Sequence, residues 1–149
     1  MTPSPAVAAP KIDPRYARFR LSIRPSSIHR WGVYAEETVP ARRRLIEYTG
    51  ARLNRRQAKE RAQVLPNYLF LVNSYWFVDG SVGGSGAEII NHSCEPNLAA
   101  RIHEGHIFYY TLRVIKPGEE LTIDYHFSKD EEELICRCGA RNCRGTVNQ

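Results

Sequence analysis

The stretch IINHSCEPNL, residues 89–98 of the 149-residue chain, poses the question that the rest of the sequence answers. Asn91, His92, Ser93, Pro96 and Asn97 are turn-makers: short polar side chains that bond nearby backbone, and a ring that cannot donate to a ladder. Cys94 has no such role, and a turn that carries a thiol uses it for packing, a metal or a reaction. The other cysteines lie far down the chain in CRCGARNC, where Cys136, Cys138 and Cys143 form a C-x-C-x4-C pattern, with Gly139 and Asn142 supplying the sharp bends. In a short chain of a reducing compartment this clustering speaks for a metal before disulfides. Zn2+ takes four soft ligands in a tetrahedron; three thiolates come from the tail, and Cys94 is the only thiol left for the fourth. The alternatives are two disulfides or buried thiols. On the zinc reading, the turn at Cys94 is the point onto which the C-terminal tail is stapled.

With 42% hydrophobic residues the chain is long enough for one compact domain with its own core, and short for two. No apolar run reaches the ~20 residues of a membrane span. The opening MTPSPAVAAPKIDP has no basic segment ahead of an apolar core, so it does not read as a signal peptide. The expectation is an intracellular protein, cytoplasmic or chromatin-associated. Rich in Pro, Ala and Ser, residues 1–15 read as a disordered lead-in, with the folded chain starting near Tyr16. The net charge of +5 and pI near 9.2 come mostly from arginine. Those arginines are scattered (Arg42, Arg43 and Arg44; Arg55 and Arg56) and not grouped on a recognition helix, which favours a solvated face over direct nucleic-acid binding.

Most of the chain reads as short strands. Residues 18–23 (RFRLSI) alternate, and 31–35 (WGVYA) and 44–48 (RLIEY) are rich in β-branched or aromatic residues. YLFLV and YWFVD flank Asn73 and Ser74 at hairpin spacing, LAARI and HIFYYTL flank Glu104 and Gly105, and ELTIDY (120–125) follows the turn KPGE as a last strand. One helix interrupts this, with Asn54 as cap, Ala58, Ala62 and Leu65 on one face, and Pro66 as stop. A second, shorter helix is expected from Ser128, which has capping-box spacing to Glu131. GSVGGSG (80–86) reads as a flexible loop and, lacking the strand and helix around it, not as a phosphate cradle.

In order and spacing, IINHSCEPN, RVIKPGEELTIDY (113–125) and CRCGARNC resemble the SET domain with its post-SET tail, the fold of protein lysine methyltransferases. The likeness runs from about Phe19 to Gly145; NHS or DY alone means little, but the set is specific. It implies a mainly β fold of several small sheets around a pseudoknot, with one or two short helices and a zinc-stapled tail. Residues 16–127 would be the SET domain and 128–149 the post-SET tail, with no cysteine-rich pre-SET segment upstream, as in minimal SET proteins. It further implies S-adenosylmethionine as cofactor on one face. On the other lies a basic protein, histones being the family's commonest target, whose lysine enters a narrow channel joining the two.

The resemblance assigns residues as well. Tyr125, ending LTIDY, matches the active-site tyrosine that orients the amine, and Tyr68, in NYLFLV, a second channel tyrosine; a core aromatic is the alternative for each. Asn91 and His92 match the cofactor-contacting pair, and Arg30, Trp31 and Gly32 the loop whose backbone approaches the methionine part. Ile123, two before the tyrosine, matches the position that sets how many methyl groups are added, or is simply an inward-facing strand residue. The chemistry implied is attack by a neutral amine, although free lysine has a pKa of about 10.4. A dry channel and a neighbouring sulfonium both lower it, and alignment of the reactants removes much of the barrier.

Four positions, at three places, depart from the family pattern. Arg30 replaces the first glycine of a usual Gly-x-Gly and is strained if that position needs φ > 0. Glu88 stands where an arginine is common, and Arg42-Arg43 replace a Gly-Glu turn. The acidic run 130–133 beside the tail offers carboxylates to a Lys/Arg-rich substrate, or is a helix start favoured by its dipole. The class competing with an enzyme is a non-catalytic, zinc-stapled binding module for nucleic acid or protein. Such a module would bind no S-adenosylmethionine, and its nucleic-acid affinity would fall steeply with salt.

Overall fold

The structure is a computed structural model, and it describes residues 10–63, 68–125 and 140–144. Along the described chain run β1 Leu21–Pro25, β2 Trp31–Ala35, β3 Arg44–Tyr48, β4 Ala51–Asn54, α1 Arg55–Arg61, β5 Leu69–Leu71, β6 Trp76–Asp79, a 3-10 turn at Ala87–Ile89, β7 Asn91–His92, β8 Leu98–His103, β9 His106–Thr111 and β10 Thr122–Ile123. The strands make an antiparallel pair β1-β2, a five-stranded sheet in the order β3-β9-β8-β10-β7, and a three-stranded sheet β4-β6-β5. This is the mainly β architecture, poor in helix, that the resemblance implied.

Alternation decides which faces turn inward. Ile107, Tyr109 and Thr111 of β9 are buried while the residues between them are partly open, as a period of two requires. Leu45 and Ile46 of β3 are both buried although adjacent, because a bulge shifts the register against β9 between Arg44 and Ile46. Val33, Leu45, Ile46, Ile107, Ile115 and Leu121 form the centre of the core, none more than 1% exposed. Ile12 already packs against it, and the Asp13 N–H donates to the Ser85 carbonyl at 2.8 Å, so packing begins ahead of Tyr16.

The helix starts as expected. Asn54 accepts from the Gln57 N–H and Gln57 returns a bond to the Asn54 N–H, both at 2.9 Å, a reciprocal capping box. It is shorter than its apolar spacing suggests: Ala58 is its one buried residue, and Ala62 is the cap, exposed to solvent. Residues 64–67, with Leu65 and the expected stop at Pro66, lie outside the described residues, as do the expected helix at Ser128 and two of the tail cysteines, Cys136 and Cys138. The GSVGGSG segment is pinned where a flexible loop was expected. Thr49 Oγ1 donates to Gly83 O at 2.8 Å, and Ser85 Oγ to Glu47 O at 2.5 Å.

β10 positions the site. It lies between β7 and β8, parallel to both, with Thr122 opposite Asn91 and Ile123 opposite His92 and Leu98. Residues 93–97 join β7 to β8 and therefore cross over β10, the crossing that a pseudoknot requires. Of the six residues expected as the last strand, only these two pair as one. Their neighbours bond side chains instead: Asn97 Nδ2 donates to Glu120 O at 2.9 Å, and the Tyr125 N–H to His92 Nδ1 at 3.1 Å. No helix among the described residues is long and apolar enough to cross a membrane.

Candidate active site

β7 is the edge of its sheet, but with β10 on one side and the 26–32 loop and Tyr125 against its side chains, Asn91 and His92 are buried, at 5% and 4% exposure. A buried amide needs partners, and Asn91 Nδ2 finds them on the 26–32 loop and on Glu120. It lies 2.9 Å from Trp31 O, 3.3 Å from His29 O, 3.2 Å from Ser26 Oγ and 2.9 Å from Glu120 Oε2. The Ser26 hydroxyl donates to the same carboxylate (2.8 and 2.9 Å) and accepts from the Ile28 N–H at 3.0 Å, and the Tyr34 hydroxyl lies 3.3 Å from Glu120 Oε1. Glu120, which lies inside RVIKPGEELTIDY but was given no role there, is thus the hub between the loop of Arg30, Trp31 and Gly32 and the Asn-His strand. Gly32 is glycine for want of space: a Cβ there would stand 2.4 Å from Glu120 Oε2. Arg30 takes φ 34° and Arg42 φ 60°, so both arginines that replace family glycines occupy the left-handed region, at a cost on the order of 1–2 kcal/mol each.

Four phenols gather nearby. The Tyr125 hydroxyl donates to Ile90 O at 2.8 Å, and its ring lies 5.3 Å from that of His92. Tyr125 keeps 39% of its surface open, but its hydroxyl ends on a residue only 1% exposed. Burial of that end is the first cause of its raised pKa and the Tyr68 phenol the second. The Tyr48 hydroxyl donates to Tyr68 O, and the rings of Tyr48, Phe70 and Tyr109 stand 5.2–6.2 Å apart. Tyr48 and Tyr109 were not singled out by sequence; burial raises the pKa of both, with Tyr125 and Glu88 adding to each. Tyr48, Tyr109 and Tyr125 therefore stay protonated across the neutral range. Ile123 is 4% exposed and belongs to the core cluster, as either reading of it requires.

Glu88 lies beside this group. Its carboxylate accepts from the Gly86 N–H at 3.0 Å, and a Cβ on Gly84 would meet its Oε1 at 2.4 Å. Burial lifts its pKa, and the backbone bonds offset part of that rise.

Toward the tail, Cys94 Sγ lies 3.5 Å from His92 Nε2 and accepts from the Arg144 N–H at 3.3 Å. His92 Nδ1 accepts from Tyr125, so the neutral ring carries its proton on Nε2 and donates to the sulfur. Two N–H donors on one sulfur suit a thiolate better than a thiol. Cys143 sits in a turn closed by its N–H to Ala140 O at 3.1 Å, one residue before Arg144. Among the described residues no group of three or more His, Cys, Asp and Glu is disposed to hold a metal.

Comparison with known proteins bears directly on this arrangement. The family model described as the SET domain matches residues 30–126. The chain is 37% identical over 133 residues to histone-lysine N-methyltransferase set-2 of Caenorhabditis elegans, covering 83% of this chain and 9% of that protein. It is 40% identical over 136 residues to the H3 lysine-4 specific histone-lysine N-methyltransferase of Saccharomyces cerevisiae, covering 83% and 13%. The chain therefore spans about a tenth of the length of these curated relatives. Among solved structures, KRYPTONITE in complex with mCHH DNA, an H3(1-15) peptide and SAH is similar at a TM-score of 0.75 and 30% identity, covering 88% of this chain and 30% of that one.

Proposed function

The chain belongs to the SET-domain family, and from that membership we propose that it transfers methyl groups from S-adenosylmethionine to the side-chain amine of a lysine in a histone-like, chromatin-associated basic protein. The observation that carries the proposal is the convergence, through the crossing at β10, of Asn91, His92, Tyr125 and the 30–32 loop on one place, although they lie far apart in sequence. The relatives in worm and yeast are named as histone-lysine methyltransferases, and the similar solved structure holds an H3 peptide and SAH.

The residues fit the cofactor chemically. The Glu120 carboxylate and the carbonyls of His29 and Trp31 make an acceptor-rich cluster at the loop, which suits a ligand bearing an ammonium and a sulfonium. When bound, S-adenosylmethionine supplies a methyl group on positively charged sulfur. The protein's part is to present a neutral amine in line with it. Tyr125 and Tyr109 are phenols in a low-dielectric place, so Tyr125 serves as a neutral hydrogen-bond partner for the amine and not as a phenolate base. The Tyr125 hydroxyl gives its proton to Ile90 O, which leaves its lone pairs to accept an amine N–H and fix the direction of attack. Ile123 offers no hydroxyl at the position tied to product multiplicity, which favours di- and trimethyl-lysine.

The tail fits zinc by its donor chemistry. Cys94, Cys136, Cys138 and Cys143 supply four sulfurs, and Cys94 is already placed among N–H donors of the kind that support a bound thiolate. Zinc there would be structural, holding the tail over the site.

The test is transfer of labelled methyl from S-adenosylmethionine to histone H3, with calorimetric cofactor binding run alongside. Tyr125→Phe is expected to lose ~10²-fold or more in turnover while binding the cofactor. Near-normal turnover of that variant demotes Tyr125 to packing, and a wild-type chain that binds no cofactor removes the proposal.

A further inference from the structure

Arg144 touches both flanks of Tyr125. Its backbone N–H donates to Cys94 Sγ at 3.3 Å; Cys94 lies on His92 Nε2, and His92 Nδ1 holds the Tyr125 N–H. Its guanidinium donates to both carboxylate oxygens of Asp124, at 3.0 and 3.3 Å, and Asp124 is the residue before Tyr125. The contacts close a ring: Arg144 to Cys94, Cys94 to His92, His92 to Tyr125, and Asp124 back to Arg144. Two planar forked groups in register make a directional contact that a lysine cannot reproduce. The pair is also sheltered, the Arg144 and Asp124 side chains being 30% and 14% exposed, so it is less screened than a surface pair.

The consequence lies in the peptide between Asp124 and Tyr125. That unit is planar, so anchoring the Asp124 side chain on one side and the Tyr125 N–H on the other leaves the Tyr125 Cα–Cβ bond little freedom. Its hydroxyl is then aimed at Ile90 O from a fixed base. Residues 140–144 come from the tail, whereas Asp124 and Tyr125 follow β10, so a contact between them reports whether the tail is seated. We propose that Arg144 is a positioning residue whose two-sided grip on Cys94 and Asp124 couples the seating of the C-terminal tail to the placement of Tyr125.

The inference rests on the reading of Tyr125 given above, and the experiment separates the two. In the full chain, Arg144→Gln, Asp124→Asn and the double variant are compared in single-turnover transfer to an H3(1-15) peptide at saturating cofactor. Amide hydrogen exchange at Tyr125, cofactor affinity and zinc content are measured on the same samples. Each single variant is expected to lower the transfer rate about 10- to 100-fold, the cost of a small misplacement of a reacting group. Zinc content and cofactor affinity should stay near wild type while the Tyr125 amide exchanges faster. The double variant should be no slower than the slower single one, because one contact is being removed twice. Arg144→Lys should recover little of the rate. Transfer within about two-fold of wild type, or losses that multiply in the double variant, overturns the coupling. So does a loss explained wholly by weaker cofactor or zinc binding. If the wild type transfers no methyl, the functional reading is the one that fails; exchange at Tyr125 then decides the coupling alone, and equal protection in wild type and Arg144→Gln overturns it.

Discussion

Gly32→Ala is the sharpest single perturbation of the 26–32 loop proposed to hold the cofactor. The added methyl would stand 2.4 Å from Glu120 Oε2, 2.9 Å from Glu120 Cδ and 3.0 Å from Ser26 Cβ, against roughly 3.5 Å for unstrained contact. The carboxylate has to retreat by about 1 Å. It is not free to do so cheaply, because Oε2 holds Asn91 Nδ2 at 2.9 Å and both oxygens hold the Ser26 hydroxyl. Losing a hydrogen bond to a charged group costs about 1.5–3 kcal/mol and overpacking about 1–3 kcal/mol. The two overlap, since retreat relieves the clash by breaking the bond, so the net loss of stability is ~2–4 kcal/mol. Denaturant unfolding should show a lower midpoint at unchanged slope, and calorimetry should show cofactor binding weakened by about ten-fold or more for each 1.4 kcal/mol that falls on the loop. Adding Glu120→Ala removes the group struck hardest and leaves only the 3.0 Å approach to Ser26 Cβ, so the double variant should lie much nearer Glu120→Ala alone than the sum of the two single losses. A Gly32→Ala protein with wild-type midpoint and cofactor affinity would show that the loop does not depend on this contact.

Elemental analysis should find about one zinc per chain, and Cys138→Ser should lose it and weaken cofactor and substrate binding more than it unfolds the core; active protein without zinc removes the idea. Mass spectrometry of a single-lysine peptide should show di- or trimethyl product at long times, shifted toward monomethyl by Ile123→Tyr; wild-type product halting at monomethyl refutes it. Burial raises the Glu88 pKa above its ordinary 4.5, so the native state holds that proton more tightly than the unfolded chain, and stability falls as pH climbs from 4.5 through the raised value. Glu88→Gln keeps an acceptor for the Gly86 N–H without the charge, so its unfolding midpoint should exceed that of wild type at pH 7 and converge with it below pH 4.5; equal midpoints at pH 7 contradict the assignment.

What could be read from sequence was what neighbours in the chain decide. β2 and β3 fall on WGVYA and RLIEY, and the β5-β6 and β8-β9 hairpins lie where turn residues separate apolar runs, because alternation and turn chemistry are local. β4 was missed: ARLN has little β propensity, and it is a strand because β6 pairs with it from across the helix. Among the residues that meet at the candidate site, Asn91, His92 and Tyr125 stand in motifs. Glu120, although inside RVIKPGEELTIDY, and Ser26 were given no role, since their bond spans 94 positions and neither residue type by itself points to a buried contact. Tyr48 left a faint signal, an aromatic at a strand end just before Thr49-Gly50, but only its bond to the Tyr68 carbonyl sets it apart from a core residue.

Turn chemistry alone does not show where NHSCEPN lies in the fold. Polar, turn-forming residues lead one to expect an exposed loop, yet Asn91, His92, Ser93 and Asn97 are all 5% exposed or less. The crossing explains why. A two-residue strand held between two others cannot satisfy the backbone around it by ladder bonds alone, so side chains take the ladder's place. Asn97 Oδ1 accepts from the Thr122 N–H at 2.8 Å, Asn97 Nδ2 donates to Glu120 O, and His92 Nδ1 accepts from the Tyr125 N–H. With these bonds made, no buried side-chain nitrogen or oxygen among the described residues lacks a partner. The same substitutions fix His92 against Tyr125 and Asn91 against the 26–32 loop. In this chain, then, the residues that make the crossing possible are also those that build the site, and a change that frees Asn97 should disturb Tyr125 through β10 without touching any ligand.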